Sequence, residues 1–191
     1  MSTVTILGKG NVGSAVAGLA GKAGRDVQIL DTASAGTPVA GDIVVLAVPF
    51  GAVDAIIAER GAELAGKVVV DVTNPVDFAT FDGLVVPADS SAAAVIQAKL
   101  PEAKVVKAFN TNFAGTVASG SVGETTTTVL VAGDDADAKA AVRSLVADAG
   151  LKALDAGSLK RARELEAVAF LQITLAASEQ VSWVGGFAVV A

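Results

Sequence analysis

Short apolar runs alternate with stretches of helical period along almost the whole chain. Residues 3–8 and 26–31 read as strands flanking a helix at about 11–24. Asp42-Ile43-Val44-Val45-Leu46-Ala47-Val48-Pro49 is almost continuously apolar, as a strand buried on both faces should be. Only Thr32 to Gly41 separate it from Asp31. That is too short for a crossover helix, so a loop is expected there. A helix at about 52–64 and a strand from Lys67 to Val72 follow. Beyond Thr73-Asn74-Pro75 the chain is rich in turn residues, with Asp77, Asp82, Gly83 and Pro87. Ser90 or Ser91 can cap a helix running to about Leu100, and Lys104 to Phe109 is the next strand. Phe113 to Gly123 reads as a loop of small residues with room for one helical turn. Thr126 to Ala132 is a β-branched strand. Asp134 or Asp135 then caps a helix to about Ala149, Gly150 stops it, and Leu151 to Asp155 is a last strand. Ser158 opens a long helix expected to reach about Ser182, roughly 35 Å at ~1.5 Å per residue. An apolar tail, 183–191, closes the chain.

The first strand ends in Gly8-Lys9-Gly10-Asn11-Val12-Gly13, a GxGxxG turn that opens a helix. In such a turn the first glycine allows the bend, the second lets backbone approach a pyrophosphate, and the third lets helix pack on strand. Asp31 ends the next strand, 18 residues past Gly13, near the spacing of a ribose-binding carboxylate. The pattern predicts an α/β fold: one doubly wound, mostly parallel Rossmann sheet. Residues 1–191 are expected to form a single domain, with 158–191 as a helix and tail serving dimerisation or substrate binding. A ligand belongs at the carboxyl ends of such strands. Those ends hold Gly8–Gly13, Asp31, Val48-Pro49, Asn74-Pro75 and Phe109-Asn110-Thr111. Taken singly, Asn74-Pro75 reads as a turn, Phe109 as core and Asn110 as a cap. Their convergence on one edge argues for a site.

Composition removes much chemistry. The chain has no Cys, no His and no Tyr. Thiolate catalysis, disulfides, zinc sites built on Cys or His, and a Ser-His-Asp triad are excluded. So are dehydrogenases that move a proton with His or with a Tyr–Lys pair. Hydride transfer between two redox cofactors remains, because the cofactors carry the reaction and the protein aligns them. Net charge is −6, and only Lys160, Arg161 and Arg163 cluster, so nucleic acid is not an expected partner. Hydrophobic residues make up 52% of the chain, yet no run reaches the ~18 apolar residues of a membrane span. No secretory signal is visible. A soluble cytoplasmic protein without a membrane partner is expected.

The residues resemble the deazaflavin-dependent NADP oxidoreductase family, whose dinucleotide domain also occurs in membrane ferric reductases. The resemblance rests on Gly8-Lys9-Gly10-Asn11-Val12-Gly13, Leu46-Ala47-Val48-Pro49 and Val70-Asp71-Val72-Thr73-Asn74-Pro75. It continues through Val106-Lys107-Ala108-Phe109-Asn110-Thr111 and Ala162-Arg163-Glu164-Leu165-Glu166. Short bacterial dinucleotide-binding oxidoreductases are similar through the tail 183–190 as well. The resemblance implies that Gly10, Asn11 and Val12 hold the pyrophosphate. It implies that Ala47, Val48 and Pro49 line a ribose, and that Asn74, Pro75, Ala108, Phe109 and Asn110 surround the nicotinamide. The tail near Gly186 and Phe187 is implied to approach the second substrate.

Residues and family disagree on the cofactor. Family members using NADP carry a small polar and a basic residue after the second strand, where this chain has Asp31, Thr32 and Ala33. A carboxylate there hydrogen-bonds a ribose 2′-OH and repels a 2′-phosphate. The residues lean to NAD(H), the family to NADP(H). The expected function is hydride transfer between NAD(P)(H) and a flavin or deazaflavin. The two rings would lie ~3–3.5 Å apart, with no side chain as acid or base. A non-catalytic nucleotide sensor and a small imine or ketone reductase are the alternatives. A homodimer through the last helix or tail is expected from their surplus apolar surface.

Overall fold

The computed structural model describes residues 2–190. The parallel strands are β1 (Thr3–Leu7), β2 (Asp26–Leu30), β3 (Ile43–Leu46), β4 (Val68–Asp71) and β5 (Lys104–Lys107). After a small hairpin of β6 (Ser121–Val122) and β7 (Thr125–Thr126), β8 (Thr128–Gly133) and β9 (Lys152–Gly157) complete the sheet. Its order is β2-β1-β3-β4-β5-β8-β9. β2 lies on one side of β1 and β3 on the other, so strand order reverses at β1. That reversal opens a crevice at the carboxyl ends of β1 and β3. The fold is the mostly parallel, doubly wound Rossmann sheet that the pattern predicts.

The helices are α1 (Asn11–Lys22), α2 (Val53–Arg60), α3 (Ala92–Lys99), α4 (Ala114–Ser119), α5 (Ala136–Asp148) and α6 (Ala162–Ala177). Successive strand residues face opposite sides. Ile43 and Val45 therefore pack with Val16 and Leu19 of α1 and Val142 and Leu145 of α5. Val44 and Leu46 pack with Val53 of α2 and Ile96 of α3 on the other face. All four residues of β3 are buried, which is why that strand reads as an unbroken apolar run. Between β2 and β3 there is only a 3-10 turn, Thr32–Ser34, and a loop. Gln28 fixes that loop, donating to Pro38 O (2.9 Å) and accepting from Ala40 N (3.0 Å).

One feature lies outside what the pattern specifies, and one differs from it. β8 runs antiparallel to β5, because α4 and the β6–β7 hairpin keep the chain at the end of the sheet where β5 finishes, so β8 starts there and runs back. The last helix is shorter than 158–182. A 3-10 turn, Leu159–Arg161, precedes it, and it ends at Ala177. Glu179 takes φ 61°, Glu179 N donates to Ala176 O (3.1 Å) and Gln180 N to Leu175 O (2.8 Å). That bond pair is a Schellman stop with glutamate at the left-handed position glycine usually fills. No helix among the described residues is long and apolar enough to cross a membrane.

Candidate functional site

The glycine turn sits at the crevice. Gly8 has φ 112°, and a Cβ there would lie 2.3 Å from Ala47 O. A Cβ on Gly13 would lie 2.3 Å from Gly8 O. These two glycines therefore let β1, the end of β3 and α1 meet. Gly10, the residue before α1, is different: a Cβ there would meet nothing within 4 Å. No side chain caps the first turn of α1, formed by Asn11, Val12 and Gly13. Open space and uncapped N–H groups fit an anionic diphosphate. Ala47 and Val48 wall this turn, with Ala47 N donating to Leu7 O (2.9 Å). Pro49 accepts from Ala52 N (2.9 Å) and starts a short 3-10 turn.

At the rim, Asp31 is held by its own loop. Its Oδ1 accepts from Ala33 N (2.9 Å) and Ser34 Oγ (3.1 Å), and its N–H donates to Ser34 Oγ (3.1 Å). Thr32 follows it as the first residue of the 3-10 turn. The Nζ of Lys9 lies 2.6 Å from Asp31 Oδ2. Lys9 and these two local donors hold the Asp31 carboxyl below its ordinary range, and Asp31 raises Lys9 in turn. Arg60 also reaches this loop, donating to Thr37 O (2.8 Å) and Ser34 O (3.0 Å). Sequence reasoning placed Lys9 in the glycine turn without pairing it with Asp31, and it did not find Arg60. The carboxylate predicted to face a ribose carries Lys9.

The ends of β4 and β5 meet through a reciprocal amide pair. Asn74 Nδ2 donates to Asn110 O (2.9 Å), and Asn110 Nδ2 donates to Asn74 Oδ1 (3.0 Å). Phe109 between them takes φ 64° while only 1% exposed. Left-handed backbone is costly for a phenylalanine, and such strain concentrates at functional sites. Asn11, Val12, Asn74, Phe109 and Asn110 all line one cavity of about 690 Å³. Ala108 is fully buried beside it in the core, and Pro75 holds the loop by accepting from Val85 N (2.7 Å). Phe78, Phe113, Ile173 of α6, Trp183 and Val184 also line it. No ionisable side chain lines the cavity among the described residues.

The tail reaches the cavity differently from what the resemblance implies. Trp183 lies on Phe113, ring centroids 5.0 Å apart, and Val184 packs on Gly115. Gly186 and Phe187 instead sit on Gln172. Its Oε1 accepts from Phe187 N (2.7 Å), and its Nε2 donates to Thr111 O (3.2 Å). Apolar residues at the end of the sequence were the available signal, and the fold brings Trp183 and Val184 of them to the cavity.

Beneath the cavity lies a buried charge cluster that the sequence analysis did not single out. Asp71 and Lys107 are register partners on β4 and β5. Lys107 Nζ lies 2.9 Å from Asp71 Oδ2, 2.8 Å from Glu166 Oε1 of α6 and 2.6 Å from Thr73 O. All three side chains are buried. Glu166 also accepts from Ala92 N (2.9 Å) at the start of α3. Burial lifts the Glu166 carboxyl above its ordinary range, against the opposing pull of Lys107. The signal was present as Asp71 ending the apolar run of β4 and Lys107 ending β5 after Val105 and Val106.

Comparison with known proteins agrees with this geometry. Residues 30–75 match the family described as NADP oxidoreductase, coenzyme F420-dependent. The F420-dependent NADP reductase of Methanocaldococcus jannaschii is 35% identical over 139 residues, 71% of this chain and 62% of that protein. The metalloreductase STEAP3 of Rattus norvegicus is 36% identical over 106 residues, 56% of this chain and 20% of that protein. The chain thus spans less than two thirds of either relative. A crystal structure of a proposed F420-dependent NADP-reductase from Arthrobacter sp. FB24 superposes with TM-score 0.82 at 27% identity, covering 100% of both chains. The resemblance read from the motifs is borne out.

Proposed function

We propose that this chain, a relative of the coenzyme F420-dependent NADP oxidoreductases, moves a hydride between a nicotinamide dinucleotide and a neutral, planar ring of the flavin or deazaflavin type. One observation carries the reading: the 690 Å³ cavity has aromatic walls, adjoins the uncapped turn of α1, and is lined by no ionisable side chain among the described residues. The diphosphate would lie over Gly10, Asn11 and Val12, with the adenosine end toward Asp31 and Thr32. The nicotinamide would enter beside Asn74, Phe109 and Asn110. The dinucleotide would supply the hydride and the second ring would accept it with one proton from solvent, so the protein would need no acid. Its residues position two rings and exclude water, which suits hydride transfer.

The test is binding and turnover with purified protein. NADH and NADPH are titrated first, then each is mixed with flavin mononucleotide or coenzyme F420, following loss of nicotinamide absorbance. Binding followed by oxidation is expected with at least one acceptor. Absence of nucleotide binding overturns the reading. Binding without oxidation by either acceptor favours a sensing role instead.

A further inference from the structure

We propose that Lys9 is the residue that accepts a 2′-phosphate, and that Asp31 holds it in reserve, so that one site takes both NADPH and NADH. The inference rests on the nucleotide-binding reading above and concerns its adenosine end.

The placement follows from sheet register. Leu7 and Leu30 are partners on β1 and β2, and Gly8 N donates to Leu30 O (2.9 Å). The residues just beyond, Lys9 and Asp31, are therefore neighbours at the crevice rim. Flanked by two glycines, the Lys9 side chain is 72% exposed, against 20% for Asp31. The two carboxylate oxygens do different things. Oδ1 is committed to Ala33 N and Ser34 Oγ, which keep the group in place whether or not Lys9 is there. Oδ2 is held by Lys9 alone among the described residues.

Two states follow. With Lys9 turned away, Oδ2 is a fixed acceptor for a ribose 2′-OH. With a 2′-phosphate present, the same ammonium has a more highly charged partner within reach. An exposed ion pair is weak, so exchanging Asp31 for phosphate costs little, and a charge-assisted bond to phosphate is strong. Other nearby cations are committed. Arg60 is 5% exposed, bonds Ser34 O and Thr37 O, and pairs with Glu59 and Glu63. Lys22 donates to Ala118 O, and Arg25 pairs with Asp148.

The probes are adenosine 2′,5′-bisphosphate and 5′-AMP, which differ only in the 2′-phosphate. Each is titrated calorimetrically into the wild type, Lys9→Met and Asp31→Asn, with thermal melts to show that each variant is folded. Lys9→Met is expected to weaken the bisphosphate about tenfold or more while changing 5′-AMP less than about twofold. Asp31→Asn is expected to tighten the bisphosphate severalfold by removing the competing carboxylate. The Lys9-dependent part of bisphosphate affinity should shrink as salt is raised. Equal loss for both probes, or for neither, in folded Lys9→Met overturns the assignment while leaving nucleotide binding intact. Failure of the wild type to bind either probe overturns it together with the reading beneath it.

Discussion

The Nζ of Lys107 lies 2.8 Å from Oε1 of Glu166, joining the end of a central strand to the last helix inside the protein. Asp71 is the second carboxylate on the same ammonium, and Thr73 O takes a third hydrogen bond. The cluster fixes the strand ends that carry Asn74 and Asn110. Removing one partner of a buried ion pair leaves an uncompensated charge. Lys107→Met should therefore cost about 3–5 kcal/mol of stability. Urea denaturation of the variant checks this. A loss below about 1 kcal/mol would mean that the cluster relaxes into water.

A pH dependence follows from the same cluster. One ammonium cannot neutralise two buried carboxylates, and burial raises Glu166 above its ordinary 4.5. The folded protein then binds more protons than the unfolded chain between 4.5 and the raised value. Stability from this group is therefore full below 4.5 and falls as pH rises through that window. Glu166→Gln should flatten this slope. Thermal melts of wild type and variant across pH 4–8 compare them, and identical slopes would refute the assignment to Glu166.

Gly10 and Gly13 of the turn should respond differently. At Gly10 a side chain meets open space, so Gly10→Val should leave the melting temperature nearly unchanged and abolish nucleotide binding. At Gly13 a Cβ would lie 2.3 Å from backbone, so even Gly13→Ala should destabilise the fold. A calorimetric titration beside a thermal melt separates these effects. Undiminished nucleotide affinity in folded Gly10→Val would make the turn purely structural.

Local pattern encodes some of this molecule and not the rest. β3 was legible because a strand buried on both faces must be apolar throughout. The glycine turn was legible because its spacing reflects close approaches that only glycine permits. The direction of β8 was not, since alternation of side chains is the same in parallel and antiparallel strands. The end of α6 was hidden because Glu179 occupies a position where glycine is the usual marker. Asp31 and Lys9 were both placed at the site, but their pairing was not. Lys9 lies close only because β1 and β2 pair in register, and Arg60 reaches the same loop from α2. Lys107, Asp71 and Glu166 come from three separate elements, so their meeting is a property of tertiary structure.

Association should involve α6. Val168 and Leu171 are 41% and 53% exposed, three positions apart on one side of that helix. Trp183, Val184 and Phe187 of the tail are also exposed. Apolar surface of this kind usually marks an interface, and two-fold pairs are the commonest homo-oligomers. Sedimentation equilibrium at micromolar concentration should give a dimer, and Leu171→Glu should shift it toward monomer without lowering thermal stability in the monomeric state. A monomeric wild type would remove α6 from this role.

The tail should govern the second substrate rather than the nucleotide. Trp183 lies against Phe113 on the cavity wall, and Gln172 ties the following residues to Thr111 O through its amide. An aromatic wall contributes ~0.5–1.5 kcal/mol to a stacked ring beyond burial. Trp183→Ala should thus raise the acceptor KM by roughly three- to tenfold, with NADH and NADPH affinities unchanged. Gln172→Ala should act in the same direction, because it frees Phe187 N and loosens the strap that keeps Trp183 in place. Steady-state kinetics at saturating nucleotide, alongside direct nucleotide titration, distinguishes the two sites. If Trp183→Ala weakens nucleotide binding and leaves the acceptor KM as it was, the cavity wall formed by Phe113 and Trp183 holds the nicotinamide, and the acceptor must approach from elsewhere.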